Sequence, residues 1–468
     1  MKNRLCVKFF PPAAIAIASA FLCAGTALGQ SKSLPNGVAR APITGSKVSL
    51  PLSGPAKVNI TGPTKPKSSI ANPGDAGKLA HTFLQITGKA TGSPMAFGPP
   101  YSGYGYETPQ SLACVYGLVT GEGSACNPNN PKLATVHSSE GSQYIVVVDA
   151  FDSYSTIYND LSSFSAQFGL PQITTSNLQV WYTAYGNAAT PPAPFAGCNL
   201  SEPFGLPLSA AGTGWDIEES LDVEMAHSMA PGATIILLEA QSNSLVDLAC
   251  AESLAYEIPA ALGGTAFEVS NSWGGGEYSG ETGWDAMFTA VPNAVYLASS
   301  GDSPGVSYPS ASPYVISAGG SSISRNPITF NFEAHSVWDL DGGGPSAYEL
   351  LAPFQTDTPS PGTMRATPDI SFDANPQTGV WMLNSSYYGV PTWFIVGGTS
   401  VASPALAGII NSAGAFAAST QAEGTAIYGR TGVTRITSGH CGPYNGYAAA
   451  ALYDYCTGVG DAKGFKGK

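Results

Sequence analysis

The sequence predicts an α/β protein: a mostly parallel β-sheet with helices on both faces. Two observations point there. Short, fully apolar runs of strand length alternate with stretches of helical periodicity, and glycine- and serine-rich segments end several of those runs. A third concerns extent: from about Tyr101 the composition becomes globular and stays so to about Asp461, without internal repeats.

The N-terminus reads as an export signal. Met1 to Lys8 is basic, Ala13 to Leu28 is apolar and rich in small residues, and Ala27-Leu28-Gly29 offers a cleavage site, so residues 1–29 are expected to be removed from a secreted, extracellular protein. That run is short for a membrane span, and no later segment is long enough, so no membrane association is expected. Residues 30–100 are rich in Pro, Gly, Ser and Lys, with no sustained apolar period except around Leu79 to Ile86. They read as a polar leader or linker, disordered in character, with little core of its own.

Residues 101–464 then form the globular domain. Tyr144 to Val148 is the first buried strand, followed by a helix over Thr156 to Phe168. Thr234 to Glu239, Ala266 to Ser272, Ala294 to Ser299 and Tyr314 to Ala318 are further strands. Gly274-Gly275-Gly276 and Ser300-Gly301-Asp302 end two of them, at the strand edge where α/β sheets place their sites.

Charge is divided unevenly. Residues 30–95 carry eight Lys/Arg against the single acid Asp75, whereas residues 96–460 carry five basic residues against thirty acidic ones. Such a body repels nucleic acid and approaches neutrality only in acid. The six cysteines after the signal, an even number in an exported chain, point to disulfides, with sequential pairing 114–126, 198–250 and 441–456 the simplest connectivity. None has metal-ligand spacing.

Chemistry is sought first at Gly397-Gly398-Thr399-Ser400, which leads into a small-residue helix over Val401 to Ala413. A serine at a helix N-terminus sits where free N–H groups and the helix dipole favour developing negative charge, or it simply caps the helix. A nucleophilic serine needs a base. Of His81, His137, His227, His335 and His440, only His227 lies in a convincing helical context, which also contains Glu218 and Asp222. At about 100° per residue, positions four apart share a face and positions nine apart oppose, so Glu218 and Asp222 meet while His227 points away. Two adjacent carboxylates share a proton, and the ionised partner serves as a base in acid. The alternative is a solvated acidic face, since Glu219 and Glu224 stand beside them. Asp302 is either a turn former or a protonated acid that donates to an oxyanion.

Three separated elements, Glu218-x-x-x-Asp222 running into Met229-Ala230-Pro231-Gly232-Ala233, Ser299-Ser300-Gly301-Asp302, and Gly398-Thr399-Ser400-x-x-x-Pro404, resemble in that order the sedolisin, or serine-carboxyl peptidase, family. Ser270-Asn271-Ser272-Trp273-Gly274, Arg365-Ala366-Thr367-Pro368-Asp369-Ile370 and Thr457-Gly458-Val459-Gly460 support the resemblance, which covers about residues 105–462. It implies a subtilisin-like α/β fold and acid endopeptidase activity on polypeptide substrates, with Ser400 as nucleophile, Glu218 as base, Asp222 as its orienting partner and Asp302 in the oxyanion role. Asp149 lies near where ordinary subtilisins place their triad aspartate, and is expected at most to support the Glu218 network, with Trp273. A His-dependent triad of Asp149, His227 and Ser400 fails on helix geometry; a non-catalytic exported binding domain on the same fold is the other alternative.

Two departures follow. The family usually carries a long folded prodomain, whereas only about 70 residues here separate signal and body; one expectation is that the basic leader docks on the acidic body at neutral pH. The family's calcium loop has aspartates where this chain has Arg435 and Asp454, so no calcium and no other cofactor is expected, with an Arg435–Asp454 ion pair and a Cys441–Cys456 bridge in the metal's place. The protein is expected to be a monomer.

Overall fold

The computed structural model describes residues 38–41, 57–120, 125–137, 143–183, 206–289, 292–356 and 362–468. The expected signal peptide and Cys198 lie outside them. All the described residues fall within one compact unit, residues 34–468.

The main sheet is built from β1 (Val38–Arg40), then, after the segment β2 (Lys57–Thr64), β3 (His81–Thr82) and β4 (Gln85–Thr91), from β5 (Tyr144–Ala150), β6 (Leu178–Thr183), β7 (Thr234–Ala240), β8 (Phe267–Asn271), β10 (Ala294–Ser299), β11 (Ile316–Arg325) and β12 (Ile370–Asp373). A short strand, β9 (Trp273–Gly276), follows β8 directly. The spatial order runs β1-β6-β7-β5-β8-β10-β11-β12, and every pair from β6 to β12 is parallel. Helices α1 (Tyr154–Phe168), α2 (Trp215–Met229) and α3 (Leu245–Leu254) form the crossovers between successive parallel strands.

The two faces can be read residue by residue. Ile145 and Val147 of β5 pack with Ile157, Leu221 and Leu406. Val146 and Val148 between them pack on the opposite side with Leu248, Leu254 and Val269. Both sets are fully buried, which is why these strands are continuously apolar rather than alternating. Helices therefore cover both faces, as the sequence predicts. Among the described residues no helix is long and apolar enough to cross a membrane.

The leader is where the structure departs most from expectation. Residues 57–100 do not form a polar linker without a core. Strand β4 pairs antiparallel with β2 on one side and on the other with β14 (Thr392–Gly397), itself paired to β13 (Val380–Asn384). Leu84 and Ala90 are completely buried. The segment looks polar because backbone pairing holds it, so its side chains carry little of the apolar signal that marks β5 or β7.

Candidate active site

Glu218 and Asp222 both lie on α2, every residue of which is buried. Glu219 and Glu224 are enclosed as well, which removes the reading of a solvated acidic face. Against α2 packs α4 (Thr399–Ala413), which carries Ser400. The small residues of α4 allow a close approach: a Cβ added to Gly408 would lie 2.7 Å from Met229 Cβ, and Ser412 Oγ donates to the Met229 carbonyl at 2.7 Å.

Helix α4 starts two residues before the expected Val401, with Gly398 as its N-cap at φ 113°. The left-handed backbone and the crowding there suit only glycine, since a Cβ would meet the Phe83 carbonyl oxygen at 2.1 Å and Asp302 Oδ2 at 2.5 Å. Ser400 therefore does not cap the helix. The cap is supplied by Asp302, whose Oδ1 accepts from the Thr399 N–H at 2.8 Å and from Thr399 Oγ1 at 3.1 Å. The Gly301 N–H donates to Thr399 Oγ1 at 3.0 Å, and Ser299 Oγ donates to the Thr399 carbonyl at 2.8 Å, so the end of β10 grips the start of α4.

The Ser400 hydroxyl is fully buried; it donates to the Ser272 carbonyl at 3.2 Å and accepts from the Phe83 N–H at 3.1 Å. It also neighbours Glu218 and favours that group's charged form, although neither Glu218 oxygen has a hydrogen bond of full geometry. Burial, then the charges of Asp222 and Asp149, push the Glu218 carboxyl well above the usual range. Burial does the same to Asp222, with Ser272 as the opposing neighbour. For Asp149, burial is followed by the charges of Asp222 and Glu219. All six oxygens of Glu218, Asp222 and Asp149 lack a hydrogen bond of full geometry, so desolvation and mutual repulsion oppose ionising the three together. Asp149 is thus a charge neighbour of the pair; Trp273 does not bond it, its Nε1 donating instead to the Val148 carbonyl at 2.9 Å.

Burial pushes Asp302 up to about 7, against hydrogen bonds from Thr399 and the charge of Lys65. A carboxyl of that kind is protonated and able to donate in acid. His227 stands apart: its Nε2 lies 3.1 Å from the Pro171 carbonyl, and burial lowers its pKa to about 4. The structure thus brings Ser400, Glu218, Asp222 and Asp302 into one region and leaves His227 out.

Sequence reasoning missed the residues that the segment 57–100 contributes. Phe83 bonds Ser400 at both its N–H and its carbonyl, Gln85 Nε2 reaches Asp302 Oδ2 at 3.4 Å, and Lys65 Nζ reaches the Asp302 carbonyl at 3.4 Å. The signal that could have found them is the apolar interruption at Leu79 to Ile86.

In the C-terminal loop the Asp454 carboxylate is turned to the loop's own amides. Asp454 Oδ1 accepts from the Cys456 and Thr457 N–H groups at 2.9 and 2.7 Å, and Oδ2 from the Ala450 N–H at 2.8 Å. Arg435 is exposed, and among the described residues no ion pair joins it to Asp454, which corrects that expectation. The loop's own amides supply the donors that an arginine would have given. The expected Cys114–Cys126 and Cys441–Cys456 disulfides are present; the third expected pair involves Cys198.

A parallel sheet covered on both faces, with a serine in the first turn of a helix against a carboxylate pair, defines a subtilisin-like α/β protein of serine–carboxylate type. The solved structure of Pseudomonas sedolisin, a serine-carboxyl proteinase complexed with two molecules of pseudo-iodotyrostatin, shares the fold: it is 22% identical with a TM-score of 0.59, covering 76% of this chain and 95% of that one. In sequence the chain is similar to kumamolisin of Bacillus sp. (strain MN-32), 29% identical over 258 residues, or 46% of this chain and 44% of that protein. It is also similar to xanthomonalisin of Xanthomonas sp. (strain T-22), 34% identical over 183 residues (33% of this chain, 21% of that protein). Sedolisin of Pseudomonas sp. (strain 101) matches at 35% over 176 residues, or 33% of this chain and 28% of that protein. The matches span less than half the length of these curated relatives. No family model matches the chain. The resemblance to the sedolisin family, drawn from the motifs, is borne out.

Proposed function

We propose that this protein is a secreted, acid-active serine endopeptidase that cleaves polypeptides through an acyl-enzyme on Ser400. Glu218 takes the Ser400 hydroxyl proton and returns it to the leaving amine, Asp222 shares a proton with Glu218 and orients it, and protonated Asp302 donates to the oxyanion beside the Ser400 N–H. No metal takes part.

One observation carries this reading. Glu218 and Asp222 are wholly buried, have no hydrogen-bond partner of full geometry, and lie beside a serine in the first turn of a helix. A carboxylate held there becomes a base only where its neighbour keeps a proton, which places the activity in acid, at about pH 3–5. Casein hydrolysis across that range and up to neutral pH, with Ser400→Ala and Glu218→Gln as controls, tests it. An optimum near neutrality, or full activity in either variant, overturns it.

The hydrogen bonds that tie Ser400 to Phe83 favour a second reading, a non-catalytic exported domain that uses the fold for binding. A folded protein inert towards casein at every pH would support that one.

A further inference from the structure

We infer that two pairs of carboxyl groups, Glu277 with Glu281 and Asp285 with Glu349, latch the glycine wall of the cleft in acid and release it as pH rises. Each pair closes by sharing one proton. The effect on substrate binding rests on the peptidase reading of Ser400; the effect on the wall itself does not.

The cleft has a volume of about 460 Å³ and is lined by Phe83, Asp302, Gly274, Gly276, Gly305 and Ser307. Its glycine wall is β9, and the strand Ser307–Tyr308 pairs antiparallel with it, Ser307 opposite Gly276 and Tyr308 opposite Gly275. The strand Gly344–Leu350 stands next, following Gly343, which bridges Gly305. Glycines bring no side chains to pack and much backbone freedom, so such a wall is held from behind.

Four acids do the holding. Glu277 follows β9 directly, and its carboxylate accepts from the Ala347 N–H at 3.1 Å and from the Ser346 hydroxyl. Glu281 opens the 3₁₀ helix Glu281–Phe288, and its Oε2 accepts from the Tyr278 N–H at 2.7 Å. On the same helix, Asp285 Oδ1 accepts from the Tyr308 hydroxyl at 3.2 Å. Glu281 also meets Glu277, and Asp285 meets Glu349 of the strand Gly344–Leu350, carboxyl to carboxyl in each case. The helix is thereby tied to the wall at both places.

The leftover oxygens show where protons belong. Glu281 and Glu349 are 0% and 2% exposed, and Oε1 of each has no hydrogen-bond partner. Among the described residues no Lys, Arg or His pairs with any of the four acids. The titratable groups that face them are one another, Tyr278 and Tyr308. A buried carboxylate set against another, with no cation between, is stable only with a proton in the contact. Glu281 therefore donates to Glu277, and Glu349 to Asp285. Burial, together with the adjoining carboxylates, pushes Glu281 and Glu349 each up to about 8, and burial raises Asp285 too. Groups whose pKa is raised by closure bind protons more tightly in the closed state. The latch is thus fully set below the ordinary carboxylate pKa of about 4 and is lost as pH rises through about 8. Above that, each contact is a pair of like charges and the helix loses both ties.

The test uses the full chain carrying Ser400→Ala, so that chemistry at Ser400 plays no part. Backbone hydrogen exchange over residues 273–289 and 344–350 is followed by mass spectrometry at about pH 4 and about pH 8.5. Glu281→Gln and Glu349→Gln, combined, put an amide N–H where each shared proton lies and keep it there at every pH. Compared at the same pH, the glutamine protein is expected to match the parent in acid. At about pH 8.5 it exchanges these segments at least about tenfold more slowly, the effect of a single pKa unit. Glu349→Gln alone gives a smaller change of the same sign and serves if the double variant does not fold. Equal exchange at about pH 8.5 overturns the latch, as does faster exchange of the glutamine protein in acid. With Ser400 intact, KM for casein rises more steeply with pH in the parent than in the glutamine protein, while kcat follows one profile in both. An exchange difference with identical KM profiles overturns the link to substrate binding. A folded protein inert towards casein overturns the peptidase reading and leaves hydrogen exchange to judge the latch.

Discussion

The Ser400 N–H and the Phe83 carbonyl meet at 3.1 Å, and the Phe83 N–H returns a bond of the same length to the Ser400 hydroxyl. Ser400 is thus engaged on both sides by one residue of a segment whose sequence reads as linker. On the peptidase reading, this segment and outside polypeptides compete for the site, and that shapes what substitutions there are expected to do.

Ser400→Ala is expected to lower kcat/KM on casein by at least about 10³-fold, because the nucleophile acts as one unit with its base. Glu218→Gln is expected to match that loss while stabilising the fold at neutral pH. It removes one of three mutually repelling buried carboxyls and leaves a neutral group of similar shape. Thermal unfolding at pH 7.5 checks this: a melting temperature below that of the parent would contradict the repulsion argument.

The buried acids fix the direction of the pH dependence of stability. Glu252 and Glu268 are each pushed up to about 8, and Asp160 and Asp302 to about 7, chiefly by burial. Groups whose pKa is raised by folding bind protons more tightly in the folded state. Their contribution is fully present below the ordinary carboxylate pKa of about 4 and is lost as pH rises to about 8. The melting temperature is expected to be at least about 10 °C higher at pH 4 than at pH 8. Calorimetry over that interval checks it, and a flat or rising profile would count against it.

The central sheet was legible because its strands are buried on both faces and so are apolar throughout, as Tyr144–Ala150 and Thr234–Ala240 show. The carboxylate pair was legible because helix geometry fixes which residues share a face, whatever surrounds them. Burial was not legible: Glu219 and Glu224 look like a solvated face until α4 is packed on α2. The role of residues 57–100 was hidden for a related reason. A strand such as Gln85–Thr91, held by backbone pairing on both edges, needs few apolar side chains and leaves little trace in composition.

At the C-terminal loop, Asp454 is satisfied by three backbone amides and Arg435 is exposed. Excess chelator is therefore expected to leave the melting temperature unchanged within about 1 °C. Replacing Cys441 and Cys456 by serine removes a link across a sequence separation of 15 residues and is expected to cost about 3 kcal/mol in denaturant titrations. A chelator-induced drop in melting temperature would show that a metal holds this loop after all.

Asp302 offers the sharpest separation of roles. Its carboxyl caps α4 through Thr399 and, on the peptidase reading, donates when protonated to the oxyanion beside the Ser400 N–H. Asp302→Ala removes both functions and is expected to lower kcat about 10²–10³-fold, the usual cost of losing one oxyanion donor. Asp302→Asn keeps an acceptor for the Thr399 N–H and an N–H donor for the oxyanion that no longer depends on a proton. It is expected to recover at least about tenfold over the alanine variant. Because Asp302 is pushed up to about 7 in the parent, the asparagine variant should also lose the part of the alkaline limb that Asp302 sets, leaving the limb set by Glu218 and Asp222. Parallel pH–rate profiles of the three proteins decide the matter. Equal losses in the asparagine and alanine variants would mean that Asp302 delivers its proton to the reacting oxygen rather than donating a hydrogen bond to it.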